Sequence, residues 1–184
     1  AADRVLVPTG GAIEALCRIL AVARSSRAAV VVDPSHIERH GDRLCGALAP
    51  LFAAWEETDP DGEASRDIEA SLARRPGPET PFYIGLTSGS TGQPKAFQRS
   101  QRSWTESFRL ADEAFGLDPD EHVLVPGGLG HSLHLFGAIH GLHRGWRVDV
   151  VRSFQPLSVL RRMQEVRSTV LVTTPTQLRL LAIA

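Results

Sequence analysis

Short apolar runs alternate with longer segments of mixed polarity along most of the chain. Residues 4–8 form a short run with branched aliphatic side chains before Gly10 and Gly11, and residues 28–32 are apolar without interruption. Both patterns predict strands, and the second is typical of a strand buried on both faces. Apolar residues between them return at three- and four-residue steps, which predicts a helix over 12–23. The order predicts a parallel βαβ unit.

We expect the helix over 12–23 to bury one face against the sheet. The apolar residues that share this predicted face are Ile13, Leu16, Cys17, Leu20 and Ala21. A second helix is predicted over 37–55, where Ser35 can cap its beginning and Gly41, Gly46 and Pro50 imply a bend or a break.

The second half of the chain repeats the alternation. The predicted strands cover 82–87, 96–98, 122–125, 148–151 and 169–173. The predicted helices cover 102–115, 132–143, 157–166 and the residues from Pro175 onward. The sequence therefore predicts an α/β fold, built of layered βαβ units with a mostly parallel sheet. Residues 56–80 are rich in Asp, Glu, Gly, Pro and Arg, and we interpret them as a surface linker or excursion.

Composition narrows the classes of partner. The chain has 184 residues, 42% of them apolar, and its 20 basic and 21 acidic residues give a formal charge of -1. This balance argues against nucleic acid or an anionic membrane as the main partner, and no apolar run is long enough to span a bilayer. Cys17 and Cys45 are too few for a disulfide framework or a zinc site, so we expect a cytoplasmic location.

The segment with the clearest chemistry is TSGSTGQPK at 87–95, which follows a predicted strand directly. Glycines let the backbone turn its N–H groups inward, hydroxyls add donors, and a lysine supplies a mobile positive charge, as a phosphate-binding loop requires. Neither the Walker spacing nor G-x-G-x-x-G is present. The alternative is a polar hairpin whose Gly and Ser serve only the turn. The candidate phosphate-binding residues are Thr87, Ser88, Gly89, Ser90, Thr91, Gly92 and Lys95.

The run YIGLTSGSTGQPK at 83–95 closely resembles the signature loop Y-T-S-G-T-T-G-x-P-K-G of the adenylate-forming superfamily. This superfamily contains acyl- and aryl-CoA synthetases, luciferase-like enzymes and adenylation domains. Ala96 and Gln101 depart from its usual glycine and histidine. Residues 30–34, 123–150 and 173–176 resemble further segments of the family. The resemblance covers most of the chain outside 56–80, and it implies the N-terminal portion of the large N-terminal domain, without the C-terminal domain.

The resemblance implies ATP-dependent activation of a small carboxylic acid to an acyl-adenylate, with Mg²⁺, followed by transfer to the thiol of CoA or of the phosphopantetheine of an acyl carrier protein. The activity would be that of an acid–thiol ligase. The chain lacks the family's later Y-G-x-T-E segment, its ribose-binding Asp and the lysine of its mobile C-terminal domain. It also has no initiator Met, and it ends in an apolar run. We therefore expect both ends to be cut. The chain is then either a truncated or proteolysed piece of the enzyme, or one part of a split enzyme whose remainder is a separate polypeptide and a partner. The alternative is a non-catalytic or split adenylation-domain fragment that serves as a binding or scaffold module.

Four histidines, at 131, 134, 140 and 143, fall close together. On a helix, His134 and His140 point to opposite sides and no acidic residue joins them, so we expect no metal site, but surface or packing histidines. By resemblance, His131 matches the family histidine that positions the carboxylate and the acyl phosphate, and we take it as the candidate catalytic residue. Ser132 stands where amino-acid-activating modules have Asp, which favours a fatty or aryl acid.

Overall fold

The computed structural model describes residues 4–35, 38, 76–87 and 95–184. The chain divides into two compact units, residues 1–105 and 106–184, and each unit contains a sheet of its own. Apart from residue 38, the helix predicted over 37–55 lies outside the described residues, as does most of the linker predicted over 56–80. Residues 76–80 contain no helix or strand.

In the first unit, four strands form a sheet in the order β1-β2-β3-β4. β1 and β3 both pair with β2 in parallel, whereas β4 runs antiparallel to β3. β2 is buried over its whole length, as its uninterrupted apolar run predicts. The elements of this unit are β1 (Arg4–Pro8), α1 (Ala12–Arg24), β2 (Ala28–Val32), β3 (Pro81–Thr87) and β4 (Lys95–Ser100). Helix α2 (Gln101–Phe115) begins in this unit and continues into the second.

The buried face of α1 differs from the predicted one. Leu16 is buried as expected, but Ile13 is 80% exposed and Cys17 is also exposed. The sequence of α1 is apolar on most sides, so two overlapping stripes satisfy the helical period, and the pattern alone does not select between them. The residues that face the core are Ala15, Leu16, Ile19 and Val22.

In the second unit, three parallel strands lie in the order β6-β5-β7. The central strand β5 is fully buried, and a helix follows each strand, which is the predicted βαβ arrangement. β7 is shorter than the predicted 169–173, although Thr169 and Val172 donate backbone hydrogen bonds to β5 on either side of it. The elements are β5 (His122–Val125), α3 (Ser132–Arg144), β6 (Arg147–Val150), α4 (Pro156–Val166), β7 (Val170–Leu171) and α5 (Pro175–Ala182).

The α/β fold class with mostly parallel pairing is thus confirmed. Parallel strands end at one edge of their sheet, and ligands of α/β proteins bind outside that carboxyl edge. In the first unit, β3 delivers Thr87 to this edge, and in the second unit β5 delivers the segment 126–131. Among the described helices, none combines the length and the apolar character needed to cross a bilayer.

Candidate functional site

The phosphate-binding candidate loop is joined to the first sheet by a hairpin. Thr87, the last residue of β3, pairs with Lys95, the first residue of β4, and the Thr87 hydroxyl donates to the Lys95 carbonyl at 3.2 Å. Residues 88–94 connect the two strands, and this connection is longer than the roughly two to five residues of common hairpin loops. Both Thr87 and Lys95 are exposed. The other predicted loop residues, namely Ser88, Gly89, Ser90, Thr91 and Gly92, lie outside the described residues.

The base of this hairpin is a cluster of aromatic rings. Tyr83 on β3 is 2% exposed, and its ring centroid lies 5.7 Å from that of Phe97 and 5.2 Å from that of Trp104. Burial raises the pKa of Tyr83 to about 12, against the opposing effect of Arg99. Tyr83 is therefore a protonated packing residue that fixes the strands from which the loop emerges.

Gly85 is required by the same packing. A Cβ at this position would lie 2.5 Å from Cζ of Phe97 and in contact with the Tyr83 hydroxyl, far inside van der Waals distance. The backbone of β3 can thus lie directly beneath the two rings because Gly85 has no side chain. Gln101, a departure from the family pattern, donates from Nε2 to the Ala23 carbonyl at 3.0 Å and so joins the start of α2 to the end of α1.

In the second unit, His131 is the N-cap of helix α3. Its Nδ1 accepts a hydrogen bond from the Leu133 amide at 3.3 Å. A nitrogen that accepts carries no proton, so the neutral ring holds its proton on Nε2 and can donate from there. The side chain is exposed. His131 is thus an accessible hydrogen-bond donor at the carboxyl edge of β5.

His134 lies one turn further along α3 and is 5% exposed. Its Nδ1 is 3.3 Å from the Gly128 carbonyl and its Nε2 is 3.3 Å from Oε1 of Gln177. Its ring centroid is 5.1 Å from that of His131. Burial lowers the pKa of His134, although both hydrogen bonds oppose that effect. The neutral ring therefore packs between the segment after β5 and the start of α5.

Gln177 is a residue that our sequence reasoning missed. Its Nε2 donates to the Pro126 carbonyl at 3.1 Å and its Oε1 accepts from the Thr174 amide at 3.0 Å. Thr174 caps α5 and accepts from the Gln177 amide at 3.2 Å, which completes a capping box. The T-x-x-Q spacing at 174–177 is a recognisable capping-box signature and predicts this bond. No local signal predicts the contacts with Pro126 and His134, which are distant in sequence.

The remaining histidines of the group do not converge with His131 and His134. His140 is 6% exposed, its Nε2 is 2.8 Å from Oδ1 of Asp112, and its ring stacks on Phe108 at 4.8 Å. His143 is exposed. Within residues 4–35, 38, 76–87 and 95–184, no group of three His, Cys, Asp or Glu side chains is arranged to hold a metal ion.

Comparison with known proteins gives a consistent result for the whole length of the chain. Residues 1–184 match the family described as AMP-binding enzyme. The uncharacterized acyl-CoA ligase YhfT of Bacillus subtilis is 45% identical over 105 residues, which are 57% of this chain and 22% of that protein.

Two solved structures show the same fold. The N-terminal domain of FACL13 from Mycobacterium tuberculosis aligns with 100% of this chain and 52% of its own, with a TM-score of 0.72 and 20% identity. The o-succinylbenzoate CoA synthetase MenE from Bacillus subtilis, in complex with its acyl-adenylate intermediate, aligns with the same shares, with a TM-score of 0.75 and 15% identity. The chain therefore spans about half the length of these solved chains, and its match to YhfT covers about a fifth of that protein. By the match of its entire length, this chain belongs to the AMP-binding enzyme family.

Proposed function

We propose that this chain is the partial N-terminal domain of an acid–thiol ligase. The enzyme would activate a carboxylic acid with ATP and transfer the acyl group to the thiol of CoA or of a carrier-protein phosphopantetheine. The observation that carries the proposal is the hairpin neck at Thr87 and Lys95, which holds the ends of the signature loop at the carboxyl edge of parallel strand β3. Membership of the AMP-binding family supports it.

In the first step, a carboxylate oxygen of the acid attacks the α-phosphorus of ATP. The bond from that phosphorus to the bridging oxygen breaks, and pyrophosphate leaves with the bonding electrons. Backbone amides and hydroxyls of Ser88, Ser90 and Thr91, together with the Lys95 ammonium, would hold the β- and γ-phosphates so that the leaving group departs in line. Mg²⁺ bound with the nucleotide would supply charge that screens the phosphate oxygens.

Lys95 has a compact charge suited to this task. Of the 20 lysine and arginine residues in the chain, Lys95 alone is lysine. A composition that otherwise uses arginine throughout supports a specific need for an ammonium group at the exit of the loop. An ammonium can move among several phosphate oxygens, whereas a planar guanidinium favours fixed two-point contacts.

His131 would act on the carboxylate side of the reaction. With Nδ1 engaged by the Leu133 amide, its Nε2–H is available to oxygens that gather negative charge as the acyl phosphate forms. Ser132 offers no charge for a substrate ammonium, which supports a fatty or aryl acid rather than an amino acid.

In the second step, the acceptor thiolate attacks the acyl carbon and AMP leaves. We place the reaction in the cytoplasm, since the cysteine content of the chain gives no sign of a disulfide framework.

The test is ATP–pyrophosphate exchange with a panel of fatty, aryl and amino acids. It is run on this chain and on the full-length protein that we propose contains it. We expect exchange in the full-length protein with fatty or aryl acids and none with amino acids. Exchange with no acid in either sample would overturn the enzyme proposal and favour the scaffold alternative.

A further inference from the structure

We propose that His134 and Gln177 are positioning residues that hold the segment 126–130 against the start of α5 and thereby fix the orientation of His131. This inference deepens the proposed function, because it rests on the role given there to His131. The His134 side chain is buried and the Gln177 side chain is half-buried.

The segment 126–130 is held through two of its carbonyl groups. The Pro126 carbonyl accepts from Nε2 of Gln177 at 3.1 Å. The Gly128 carbonyl faces Nδ1 of His134 at 3.3 Å. Both partners come from helices that follow in the chain. Gln177 ties the segment at Pro126, and His134 adds a second tie at Gly128 when the imidazole proton is on Nδ1.

The orientation of the Gln177 amide is fixed by its own helix cap. Because the Thr174 amide donates to Oε1 at 3.0 Å, Oε1 is the acceptor end and Nε2 is the donor end. Oε1 of Gln177 and the Gly128 carbonyl are therefore both acceptors, and they face the two ring nitrogens of His134. A neutral imidazole donates from one nitrogen only, so its tautomer decides which of the two anchors is made.

The ring also supports the segment sterically. A Cβ on Gly127 would lie 2.5 Å from Nδ1 of His134, so the backbone of the segment rests directly on the imidazole. The centroid of the His131 ring lies 5.1 Å from that of His134. A smaller or apolar residue at 134 would remove the anchor and open space under Gly127, which would let His131 leave its position.

His140 provides a matched control. It lies on the same helix and is buried to the same extent, at 6% exposed against 5%, but its bond goes to Asp112 and not to the segment. The readouts of His140→Asn and His134→Leu are therefore compared under conditions in which circular dichroism shows the same fraction of folded protein for both variants. His134→Asn and His134→Gln are added, because Asn can place an amide near the position of Nδ1 and Gln near that of Nε2.

The first readout is the tautomer of His131 in this chain, from the nitrogen chemical shifts of its ring. We expect the Nε2–H form to predominate in the wild type and in His140→Asn, and a mixture of forms in His134→Leu. The second readout is exchange by the full-length protein. His134→Leu should lower kcat by roughly tenfold to a hundredfold with the KM for ATP nearly unchanged, since it misplaces one reacting group. Either His134→Asn or His134→Gln should give wild-type values in both readouts.

The inference is overturned if His134→Leu leaves the His131 tautomer as it is, or if His140→Asn causes the same losses. It is also overturned if His134→Leu raises the KM and leaves kcat intact. Should His134→Leu fail to fold, His134→Asn and His134→Gln replace it in the comparison with His140→Asn. If both of them match His140→Asn in both readouts, the proposal is contradicted. An absence of exchange in the wild type would count against the proposed function, while the tautomer readout would still judge the positioning role.

Discussion

Thr87 and Lys95 face each other across the antiparallel pair β3–β4, and the Thr87 hydroxyl donates to the Lys95 carbonyl at 3.2 Å. This contact closes the neck of the loop that we assign to phosphate binding. A loop with fixed ends loses less conformational entropy when its amides converge on a ligand. The neck should therefore contribute to affinity as well as to stability.

Thr87→Val tests this contribution. Valine keeps the branched shape that suits a strand but removes the donor, so we expect a loss of about 0.5 kcal/mol in the free energy of unfolding, as for an exposed hydrogen bond. Affinity for ATP should fall in parallel. Urea denaturation and calorimetric titration measure the two effects. Thr105→Val removes another exposed hydroxyl, which bonds within α2, and it should leave ATP affinity unchanged. Equal affinity in both variants would argue against a role for the neck.

Gly85→Ala tests the aromatic base of the hairpin. The new methyl group would meet the rings of Tyr83 and Phe97, and we expect a loss of about 1–3 kcal/mol in unfolding free energy, as in other overpacked cores. Gly77→Ala is the control, because its Cβ would lie 3.9 Å from Oγ1 of Thr80, an ordinary van der Waals distance. Thermal denaturation compares the two variants. If Gly85→Ala is as stable as Gly77→Ala, the close approach of the rings is not required.

The pattern of apolar residues predicted the strands β2 and β5 well. β2 is an uninterrupted apolar run and β5 is apolar after His122, and a strand with helices on both sides of its sheet has such a run. The same pattern chose the wrong face of α1, since Ile13 and Ile19 satisfy the helical period equally and only packing distinguishes them. It also gave no sign that the strands divide between two sheets, because pairing joins residues far apart in the chain.

The candidate site was predicted in part. The chemistry of Thr87 and Lys95 follows from their place beside the glycine-rich loop, and the structure makes them register partners. Their role in phosphate binding stays a prediction, as does that of residues 88–92. The burial of His134 and its contact with Gln177 join residues 43 apart in sequence, and helical periodicity carries no information about such a pair.

The buried histidines predict how stability depends on pH. Burial lowers the pKa of His140 below 6.5, outweighing the opposing bond to Asp112, and Arg144 and His143 act in the same direction as burial. The unfolded chain then binds a proton more readily than the fold, so the stabilisation is complete above about pH 6.5 and is lost as the pH falls through the lower folded pKa. His134 acts with the same sign.

Urea unfolding across this range provides the measurement. Wild type should lose stability as the pH falls below 6.5, whereas His140→Asn should be less stable at neutral pH but depend less on pH. His143→Asn, at an exposed position on the same helix, should change the slope far less, because His143 is the smallest of the causes that act on the His140 pKa. Identical slopes for wild type and His140→Asn would contradict the assignment.

Protection of Lys95 from acetylation tests the central claim most directly, because Lys95 is the single lysine of this chain and stands at the end of the loop, and the peptide that contains it reports on this position. Its acetylation rate is followed by mass spectrometry, in this chain and in the full-length protein, with ATP and Mg²⁺, with tripolyphosphate or with AMP. We predict that ATP and tripolyphosphate, at about ten times their Kd, slow the reaction about tenfold, and that AMP, which lacks the β- and γ-phosphates, does not. Equal rates with and without ATP in both samples would contradict the assignment of this loop to the triphosphate.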